Sequence, residues 1–239
     1  MSATAPPRIL PCGDTALAVE FGDDIDAMVN ARVLALDSRV AQGVPGVIET
    51  VPTYRSLLVH YDPVATDFDA LGAALTTLSA DLPDTLAKGR LWRVPVVYGG
   101  AFGVDLDAVA AHHGLDPAEL IARHTAPIYR VYMIGFVPGF AYLGGLDPSL
   151  ATPRRDVPRT RTPSGSISIG GVQAAVASIE APSGWHLLGR TPVRTFMLGR
   201  EPPFILAPGD RVTFEPIPAA RWDALDRAAA AGDLLAETP

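Results

Sequence analysis

Residues 128–192 read IYRVYMIGFVPGFAYLGGLDPSLATPRRDVPRTRTPSGSISIGGVQAAVASIEAPSGWHLLGRTP, with more Gly, Pro and Arg than an ordinary globular core requires. Glycine permits backbone conformations that other residues avoid, and proline fixes φ, so this composition favours irregular but rigid loops. Rigid loops on a scaffold are where binding and catalytic residues usually lie. We therefore expect the functional site of the chain within this stretch.

The segments in and around this stretch predict the fold, because they are short, β-rich and separated by Gly or Pro. The strand candidates are LWRVPVV, YRVYMI, SISIGGVQAAVASI, HLLG, RTFML and RVTFEPI. Short strands between turn signals indicate a barrel or a sandwich rather than a parallel α/β sheet. Two helices are expected at residues 105–113 and 117–124, and an Ala-rich terminal helix at residues 221–235.

The first part of the chain has a different pattern. Short apolar segments flank a turn at Gly13, and residues 25–40 carry apolar side chains at helical spacing. VIETVPTYRSLLVHYD is typical of two strands, and residues 68–78 of a second amphipathic helix. The order strand, strand, helix, strand, strand, helix predicts a small α+β domain.

Residues 83–90 have the composition of a linker and suggest where the chain divides. The expected parts are an α+β domain at residues 1–84, a β-rich domain at residues 91–220, and a terminal helix and tail at residues 221–239. A length of 239 residues suits one large or two modest domains.

Composition limits the possible classes of protein. The chain is 48% hydrophobic and 19% charged, and it contains neither an apolar run long enough to span a bilayer nor the apolar block of a signal peptide. We therefore expect a cytoplasmic protein without a membrane partner. One cysteine, Cys12, excludes an internal disulfide, and the scattered histidines predict no metal site.

Charge is distributed unevenly along the chain. Residues 130–200 contain eight arginines and three acidic residues, a net charge of +5, whereas the whole chain carries −7. The overall acidity argues against a nucleic-acid partner, while the local excess of arginine is compatible with a small anionic ligand.

Common catalytic motifs are absent from the sequence. It contains no GxxxxGK[ST] phosphate loop, no GxGxxG after a strand, no HExxH and no GxSxG. His124 is expected at a helix end beside the site-like stretch, where titration near neutral pH would suit proton transfer. The alternative is a structural histidine.

Several side chains of the stretch suit anion binding. Arg154, Arg155 and Arg159 lie among prolines, and arginine suits a bidentate grip on carboxylate or phosphate. The alternatives are solvated loop charges or pairing with the acidic domain. The run from Ser164 to Ser166 either offers hydroxyls and N–H groups to an oxyanion or forms a tight turn. The aromatic residues either belong to the core or wall a pocket; they are Phe136, Phe140, Tyr142 and Trp185.

GFVPGFAYLGGL, TPRRDVPRTRTPSGSISIGG and APSGWHLLGRTP together resemble the signature of a known family. It contains the B subunit of 5-oxoprolinase, the sporulation kinase inhibitor KipI and the protein called allophanate hydrolase subunit 1. The resemblance extends over about residues 9–218. It implies an α+β N-terminal domain followed by a cyclophilin-like β-barrel domain.

The resemblance also implies an activity and partners. Members similar to this chain act with two further proteins, a KipA-like C subunit and a LamB/YcsF-like A subunit, to hydrolyse 5-oxoproline to glutamate at the expense of ATP. On this hypothesis the chain contributes half of a shared site, is inactive alone, and binds or shares ATP within the complex. The alternatives are a KipI-like inhibitor of a histidine kinase and a carboxyltransferase-like component of a urea- or allophanate-degrading system.

The candidate site residues follow from the pattern and the resemblance together. The catalytic candidates are His124, Arg155, Arg159 and Ser166. The substrate-binding candidates are Arg154, Ser164, Gly165, Gln173, Trp185, Arg190, Thr191, Phe136 and Gly139. The sequence departs from the family in two places: residues 162–166 read TPSGS in place of an aliphatic residue and Pro-Ala-Gly-Ser, and residues 173–177 read QAAVA in place of Gln-Thr-Gly-aromatic-Pro. Both departures bear on the identity of the substrate.

Overall fold

The computed structural model describes residues 6–83, 85 and 88–236. These residues form two compact units, one before residue 88 and one from Lys88 onward. Each unit has a hydrophobic core of its own. Residues 84, 86 and 87 of the expected linker, residues 1–5 of the first expected domain and residues 237–239 of the expected tail lie outside the described residues. Within the described part of the chain, every helix is too short or too polar to cross a lipid bilayer.

The first unit contains one antiparallel sheet and two helices. Its elements are β1 (Arg8–Pro11), β2 (Ala16–Glu20), α1 (Ala27–Val40), β3 (Val47–Pro52), β4 (Ser56–Tyr61) and α2 (Phe68–Leu78). The strands lie in the order β1-β2-β4-β3. Helix α1 begins after Asp26, whose carboxylate accepts hydrogen bonds from the N–H groups of Met28 and Val29. Each strand and helix anticipated from the sequence before residue 80 is present.

The second unit contains nine strands, three α-helices and two short 3-10 helices among the described residues. Its first elements are β5 (Leu91–Tyr98), α3 (Leu106–His112), α4 (Pro117–Thr125), β6 (Tyr129–Ile134) and β7 (Ala141–Gly144). They are followed by β8 (Arg159–Thr162), β9 (Ser166–Gly170), β10 (Gln173–Val176), β11 (Ala181–Ser183), β12 (His186–Arg190), β13 (Arg211–Pro216) and α5 (Trp222–Ala230). The 3-10 helices are Pro148–Leu150 and Ala219–Arg221.

Seven strands close into a barrel in the order β10-β7-β6-β13-β5-β12-β9. The barrel resolves the choice between barrel and sandwich that the sequence left open. All neighbours are antiparallel except β5 and β13, which pair in parallel from Leu91 opposite Arg211 to Val96 opposite Pro216. Strands β8 and β11 form a separate two-stranded sheet. Val94, Ile167 and Ile169 are among the apolar side chains that fill the barrel.

The sequence-based assignment differs from the structure in three places. RTFML was expected to be a strand, but Phe196 makes only an isolated bridge to Phe204. The guanidinium group of Arg200 donates to the carbonyls of residues 194, 202 and 203, so this segment folds around a side chain rather than along a neighbouring strand. Strands β7, β8 and β11 were not anticipated. The terminal helix ends at Ala230, five residues earlier than expected.

The carboxylate of Asp210 fastens the beginning of β5 to the turn before β13. It accepts hydrogen bonds from the backbone N–H and Nη2 of Arg90, from Nε1 of Trp92 at 2.9 Å and from the N–H of Ala207. The side chain of Asp210 is 6% exposed, so this charge needs its partners. The parallel pair that closes the barrel is therefore stabilised at one end by a buried carboxylate.

The expected division into two domains can be tested with a fragment of residues 88–239. This fragment should fold alone, because the core of the second unit lies within it. Circular dichroism should show a β-rich protein, and thermal unfolding should be one cooperative transition. Arg90→Ala should destabilise the fragment by roughly 1.5–3 kcal/mol, since Asp210 loses its charged partner.

Glu215→Ala is the matched control for this experiment, because Glu215 is an exposed residue of β13. Its free energy of unfolding should stay within about 0.5 kcal/mol of the unchanged fragment. A fragment that aggregates and unfolds without cooperativity would contradict the two-domain organisation.

Candidate functional site

A cavity of about 390 Å³ lies on the second unit, and we call it the aromatic cleft. It is lined by Phe136, Phe140, Tyr142, Arg154, Arg155, Pro158, Pro182, Ser183, Gly184 and Trp185. The structure therefore brings four of the predicted substrate-binding and catalytic residues together: Phe136, Arg154, Arg155 and Trp185. Phe140 and Tyr142, expected either in the core or in a pocket wall, also line the cleft. The APSGW motif supplies Pro182 and Ser183, which the sequence reasoning did not single out.

The alternation of side chains along the barrel strands creates the aromatic wall. In β10, Ala174 and Val176 belong to the barrel core, whereas Ala175 packs in a second cluster with Phe140 and Trp185. Because successive side chains of a strand point to opposite faces, the small side chain of Ala175 leaves space for these rings on the outer face. The departure of residues 173–177 from the family pattern thus lies directly beneath the aromatic cluster.

The ring of Trp185 forms the floor of the aromatic cleft, and 6% of this residue is exposed. It lies against the backbone of Gly170, where any Cβ atom would come within 2.7 Å of the ring. Its edge faces the ring of Tyr142, with 6.0 Å between centroids. Burial raises the pKa of Tyr142, so this wall is uncharged at neutral pH. The guanidinium carbon of Arg154 lies 5.7 Å from the centroid of the Trp185 ring, a cation–π arrangement.

Phe136 lies at the rim of the aromatic cleft with an unusual backbone conformation. Its φ is +68°, a value that residues other than glycine seldom adopt. The ring is 60% exposed and contacts the ring of Phe140 edge to face, with 5.6 Å between centroids. Backbone strain that holds an apolar ring towards solvent costs stability without improving the core, as is common at functional sites.

Asp105 holds the arginines of the loop in place. Its Oδ1 atom accepts from Nη2 of Arg159 at 2.6 Å and from Nη1 of Arg155 at 3.4 Å, and its Oδ2 atom accepts from the N–H of Leu187 at 2.7 Å. Burial alone would raise the pKa of Asp105. The hydrogen bonds from Arg159 and Leu187 and the charges of both arginines outweigh burial and lower the pKa of this carboxyl group.

This contact decides between the alternatives for the arginine loop. Arg155 and Arg159 are not isolated loop charges, because they share the carboxylate of Asp105 within their own unit. Arg154, in contrast, has no carboxylate partner among the described residues. The sequence reasoning missed Asp105, which it treated as the start of a helix. Asp105 does precede α3, yet its carboxylate makes no capping bond and points to the loop instead.

The run from Ser164 to Ser166 forms a tight turn in which Gly165 and Ser166 donate to backbone carbonyls. The N–H of Gly165 donates to the carbonyl of Ala177, and the N–H and hydroxyl of Ser166 donate to the carbonyl of Pro163. Gly165 has a φ of +75°, and a Cβ atom there would lie 2.2 Å from the carbonyl oxygen of Thr191. The hydroxyl of Ser166 is therefore engaged within the turn in this conformation, as the structural alternative expects.

His124, a residue of α4, is fully buried and does not line the aromatic cleft. Its ring stacks on Phe214, and its Nδ1 atom is 2.9 Å from the hydroxyl oxygen of Tyr98. Burial lowers the pKa of His124 to about 3, so the imidazole is neutral near pH 7. The structure therefore corrects the expectation that His124 titrates near neutral pH, because water does not reach the ring.

The remaining predicted residues support the scaffold rather than line the aromatic cleft. Arg190 donates from Nε and Nη2 to the carbonyl of Ser164, and its guanidinium lies over the ring of Trp222. The hydroxyl of Thr191 accepts from the N–H of Val193. Gln173 is largely buried in β10, and the backbone of Gly139 lies against Phe196.

The aromatic cleft has the chemistry of a binding site for a small anion with a flat apolar part. Four aromatic rings offer apolar surface, and two guanidinium groups offer charge and paired donors. Across the described residues, no group of three His, Cys, Asp or Glu side chains converges to hold a metal ion. The site can thus bind and orient a ligand and stabilise negative charge on it.

Known proteins resemble this chain in sequence and in structure. The family model "Carboxyltransferase domain, subdomain C and D" matches residues 7–206. The B subunit of 5-oxoprolinase from Bacillus subtilis (strain 168) is 38% identical over 219 residues, a match that covers 87% of this chain and 91% of that protein.

Two solved structures share the fold. The crystal structure of TTHA0988 matches with a TM-score of 0.76 and 36% identity over 85% of this chain, which spans 40% of that longer chain. The K. lactis urea amidolyase matches 100% of this chain and 17% of its own with a TM-score of 0.82, and at 20% identity this likeness concerns the fold alone. The resemblance read from the motifs is confirmed: the chain belongs to the family that contains the B subunit of 5-oxoprolinase, among the proteins with carboxyltransferase subdomains C and D.

Proposed function

We propose that this chain is the B subunit of an ATP-dependent 5-oxoprolinase and that the aromatic cleft holds 5-oxoproline. Three relatives of similar length carry the name of the B subunit of 5-oxoprolinase. The assignment of the cleft rests mainly on the guanidinium group of Arg154, which lies over the ring of Trp185 and has no carboxylate partner among the described residues. A carboxylate and a flat five-membered lactam are the two parts of 5-oxoproline, and the cleft offers a partner for each.

The residues of the cleft divide the work of binding. Arg154 binds the substrate carboxylate, since no carboxylate of the described protein neutralises it. The rings of Phe140, Tyr142 and Trp185 pack against the lactam and exclude water, which strengthens every electrostatic contact inside. Arg155, fixed by Asp105, places a positive charge near the ring, where negative charge develops when the amide is activated.

The complex supplies what this chain lacks. A lactam amide is a poor electrophile, so ATP provides the energy that makes it hydrolysable. The sequence contains no familiar nucleotide-binding loop, and we propose that a KipA-like protein and a LamB/YcsF-like protein complete the site. In the same proposal the first unit is the α+β domain of the family and the barrel is of the cyclophilin-like type.

Reconstitution tests the proposal directly. The isolated chain should show negligible 5-oxoproline-dependent ATP hydrolysis, and activity should appear when the KipA-like and LamB/YcsF-like partners are added. Urea and allophanate, offered separately to the same complex, should give no stimulation. Robust turnover by the isolated chain would contradict a shared site. Stimulation by urea or allophanate in place of 5-oxoproline would show that the substrate belongs to the alternative class.

Replacement of Arg154 tests the aromatic cleft. Arg154→Ala should lower kcat/KM of the reconstituted complex roughly tenfold to a hundredfold, because a charge-assisted contact worth about 1.5–3 kcal/mol is lost. The melting temperature should not change, since Arg154 forms no ion pair within the described protein. Arg154→Lys should recover part of the activity, as it restores the charge without the bidentate fork.

Arg161→Ala is the control for Arg154. Arg161 is 77% exposed, pairs with Glu180 and does not line the cleft. Arg161→Ala should keep kcat/KM within about twofold of the wild-type value, because an exposed ion pair contributes less than about 1 kcal/mol. Normal turnover of Arg154→Ala at saturating concentrations of the partner proteins would remove the aromatic cleft as the substrate site.

The stability contributed by Asp105 should depend on pH. Its folded-state pKa is lowered, so the stabilisation is complete above the ordinary value of 3.8 and is lost as the pH falls through the folded-state value. At pH 7, Asp105→Asn should lower the free energy of unfolding by roughly 1–3 kcal/mol, and it should lower kcat/KM because Arg155 is no longer held. In acid the unfolding curves of the variant and the wild type should converge.

Asp107→Asn in α3 provides the control, because Asp107 is exposed and two residues away. Its unfolding free energy should follow the wild type within about 0.5 kcal/mol at every pH. Urea unfolding between roughly pH 2 and pH 7 measures both variants and covers the window below 3.8 in which the stabilisation is lost. A constant difference between Asp105→Asn and the wild type across this range would show that the carboxylate charge is not what holds the loop.

A further inference from the structure

A second cavity of about 320 Å³ lies on the other side of the loop that carries Arg154 and Arg155, and we call it the polar cleft. The side chains that give it its chemistry are His112, Thr152, Arg154, Arg155, Asp156 and His186. Both arginines also line the aromatic cleft. The two cavities thus share one wall but differ in chemistry, because the polar cleft has imidazole, hydroxyl and carboxylate groups where the aromatic cleft has rings.

The shared wall is held firmly by the backbone. The N–H of Thr152 donates to the carbonyl of Gly171, and the N–H of Gly171 donates back. The N–H of Arg155 donates to the carbonyl of Gly184 at 2.8 Å. A wall fixed on both sides of Arg154 needs little ordering when a ligand binds, which lowers the entropic cost of binding.

Hydrogen bonds also fix the orientation of one imidazole in the polar cleft. The Nε2 atom of His186 lies 2.8 Å from the carbonyl oxygen of Pro153, and a carbonyl only accepts, so Nε2 carries the hydrogen. The Nδ1 atom can then only accept a hydrogen bond, for example from a protonated phosphate oxygen. Thr152 donates its hydroxyl to the carbonyl of Leu150, so its oxygen serves as an acceptor for His113 and is not a free donor.

The balance of charge around the wall is positive. Arg155 and Arg159 share the single charge of Asp105, which leaves one positive charge in excess. Arg154 adds a second, and Asp156 removes one. The sum is one positive charge, which favours an anion, and arginine binds phosphate in a bidentate manner. The carboxylate of Asp156 is compatible with the Mg²⁺ that accompanies nucleotide phosphates, since this ion is commonly bound by one or two carboxylates together with phosphates.

We propose that the polar cleft binds a phosphate group, so that Arg154 and Arg155 separate a phosphate on one side from the substrate on the other. The phosphate is either the terminal group of a nucleotide or free inorganic phosphate. This inference rests on the proposed function, because it places the phosphate next to the cleft assigned to 5-oxoproline. Binding alone is proposed, with no bond made or broken by this chain.

Charge variants at Ala108 test the inference without touching the arginines. Ala108 is an exposed residue of α3 that lines the polar cleft, and Ala, Glu and Lys all favour helix. Ala108→Glu should weaken the binding of inorganic phosphate, and Ala108→Lys should tighten it. At contact distances across water each change should be roughly threefold, and the two variants should differ about tenfold. The same substitutions at Ala118, exposed on α4 and outside both clefts, are the control.

Calorimetric titration of the full chain and of the reconstituted complex would use inorganic phosphate, ADP and ATP, each with and without Mg²⁺. Asp156→Asn should tighten Mg²⁺-free phosphate binding roughly threefold, a gain that misfolding cannot produce. If the Ala108 variants change the affinities for inorganic phosphate and for ATP by the same factor, the polar cleft is a site for free phosphate. If they change only the affinities for nucleotides, the cleft binds the terminal phosphate of a nucleotide. Either result supports the inference.

Two results would overturn the inference. One is a chain that alone binds neither phosphate, ADP nor ATP, together with nucleotide binding to the complex that no variant at Ala108 alters. The other is an equal response to charge at Ala108 and Ala118, which would mean that only the overall charge matters. If 5-oxoproline still stimulates the complex in either case, the phosphate site fails while the proposed function stands. If 5-oxoproline does not stimulate the complex, the proposed function fails irrespective of phosphate binding.

Discussion

The carboxylate of Asp105 is the contact on which the arrangement of the site depends. A carboxylate buried to this extent must be paired, and it finds its partners in Arg155, Arg159 and the N–H of Leu187. Residues from the start of α3, from the arginine loop and from β12 are thereby fixed around one charge. Ion pairs and backbone hydrogen bonds together hold the loop between the two clefts, and its arginines do not all have the same role. Arg159 is part of the scaffold, Arg155 is both held and available, and Arg154 remains free to bind a ligand.

The barrel provides the second constraint. Its inner face is filled by side chains such as Ile167 and Leu143, so a ligand site has to lie on the outer face. There the small side chain of Ala175 allows Phe140 and Trp185 to pack as a wall. A larger side chain at Ala175 would occupy the space in which these two rings pack, so the residues of β10 affect the shape of the wall.

Much of the fold could be predicted from local signals. Alternating apolar residues identified β5, β6, β9, β12 and β13, and the density of Gly and Pro located the loops. The RTFML segment has the composition of a strand, yet Arg200 satisfies the carbonyls around it, so no ladder forms. Composition alone does not reveal that a side chain competes for these backbone groups. The closed barrel depends on a parallel pair between residues more than a hundred positions apart, which periodicity does not show.

The candidate site was predictable to the extent that its residues are close in sequence. Phe136, Arg154, Arg155 and Trp185 come from the signature stretch, and they line one cleft. The motif itself did not distinguish ligand-binding residues from structural ones, because both kinds lie side by side in the same Gly- and Pro-rich loops. That distinction comes from long-range partners. Asp105 lies 50 residues before Arg155, and its role follows only from their contact.

His124 is the opposite case, since its position at a helix end suggested a proton carrier, whereas the rings of Phe214 and Tyr129 exclude water from it. An ionisable side chain near a site is therefore informative once its surroundings are known: Asp105 stays charged because its partners compensate its charge, and His124 stays neutral because burial disfavours its charged form.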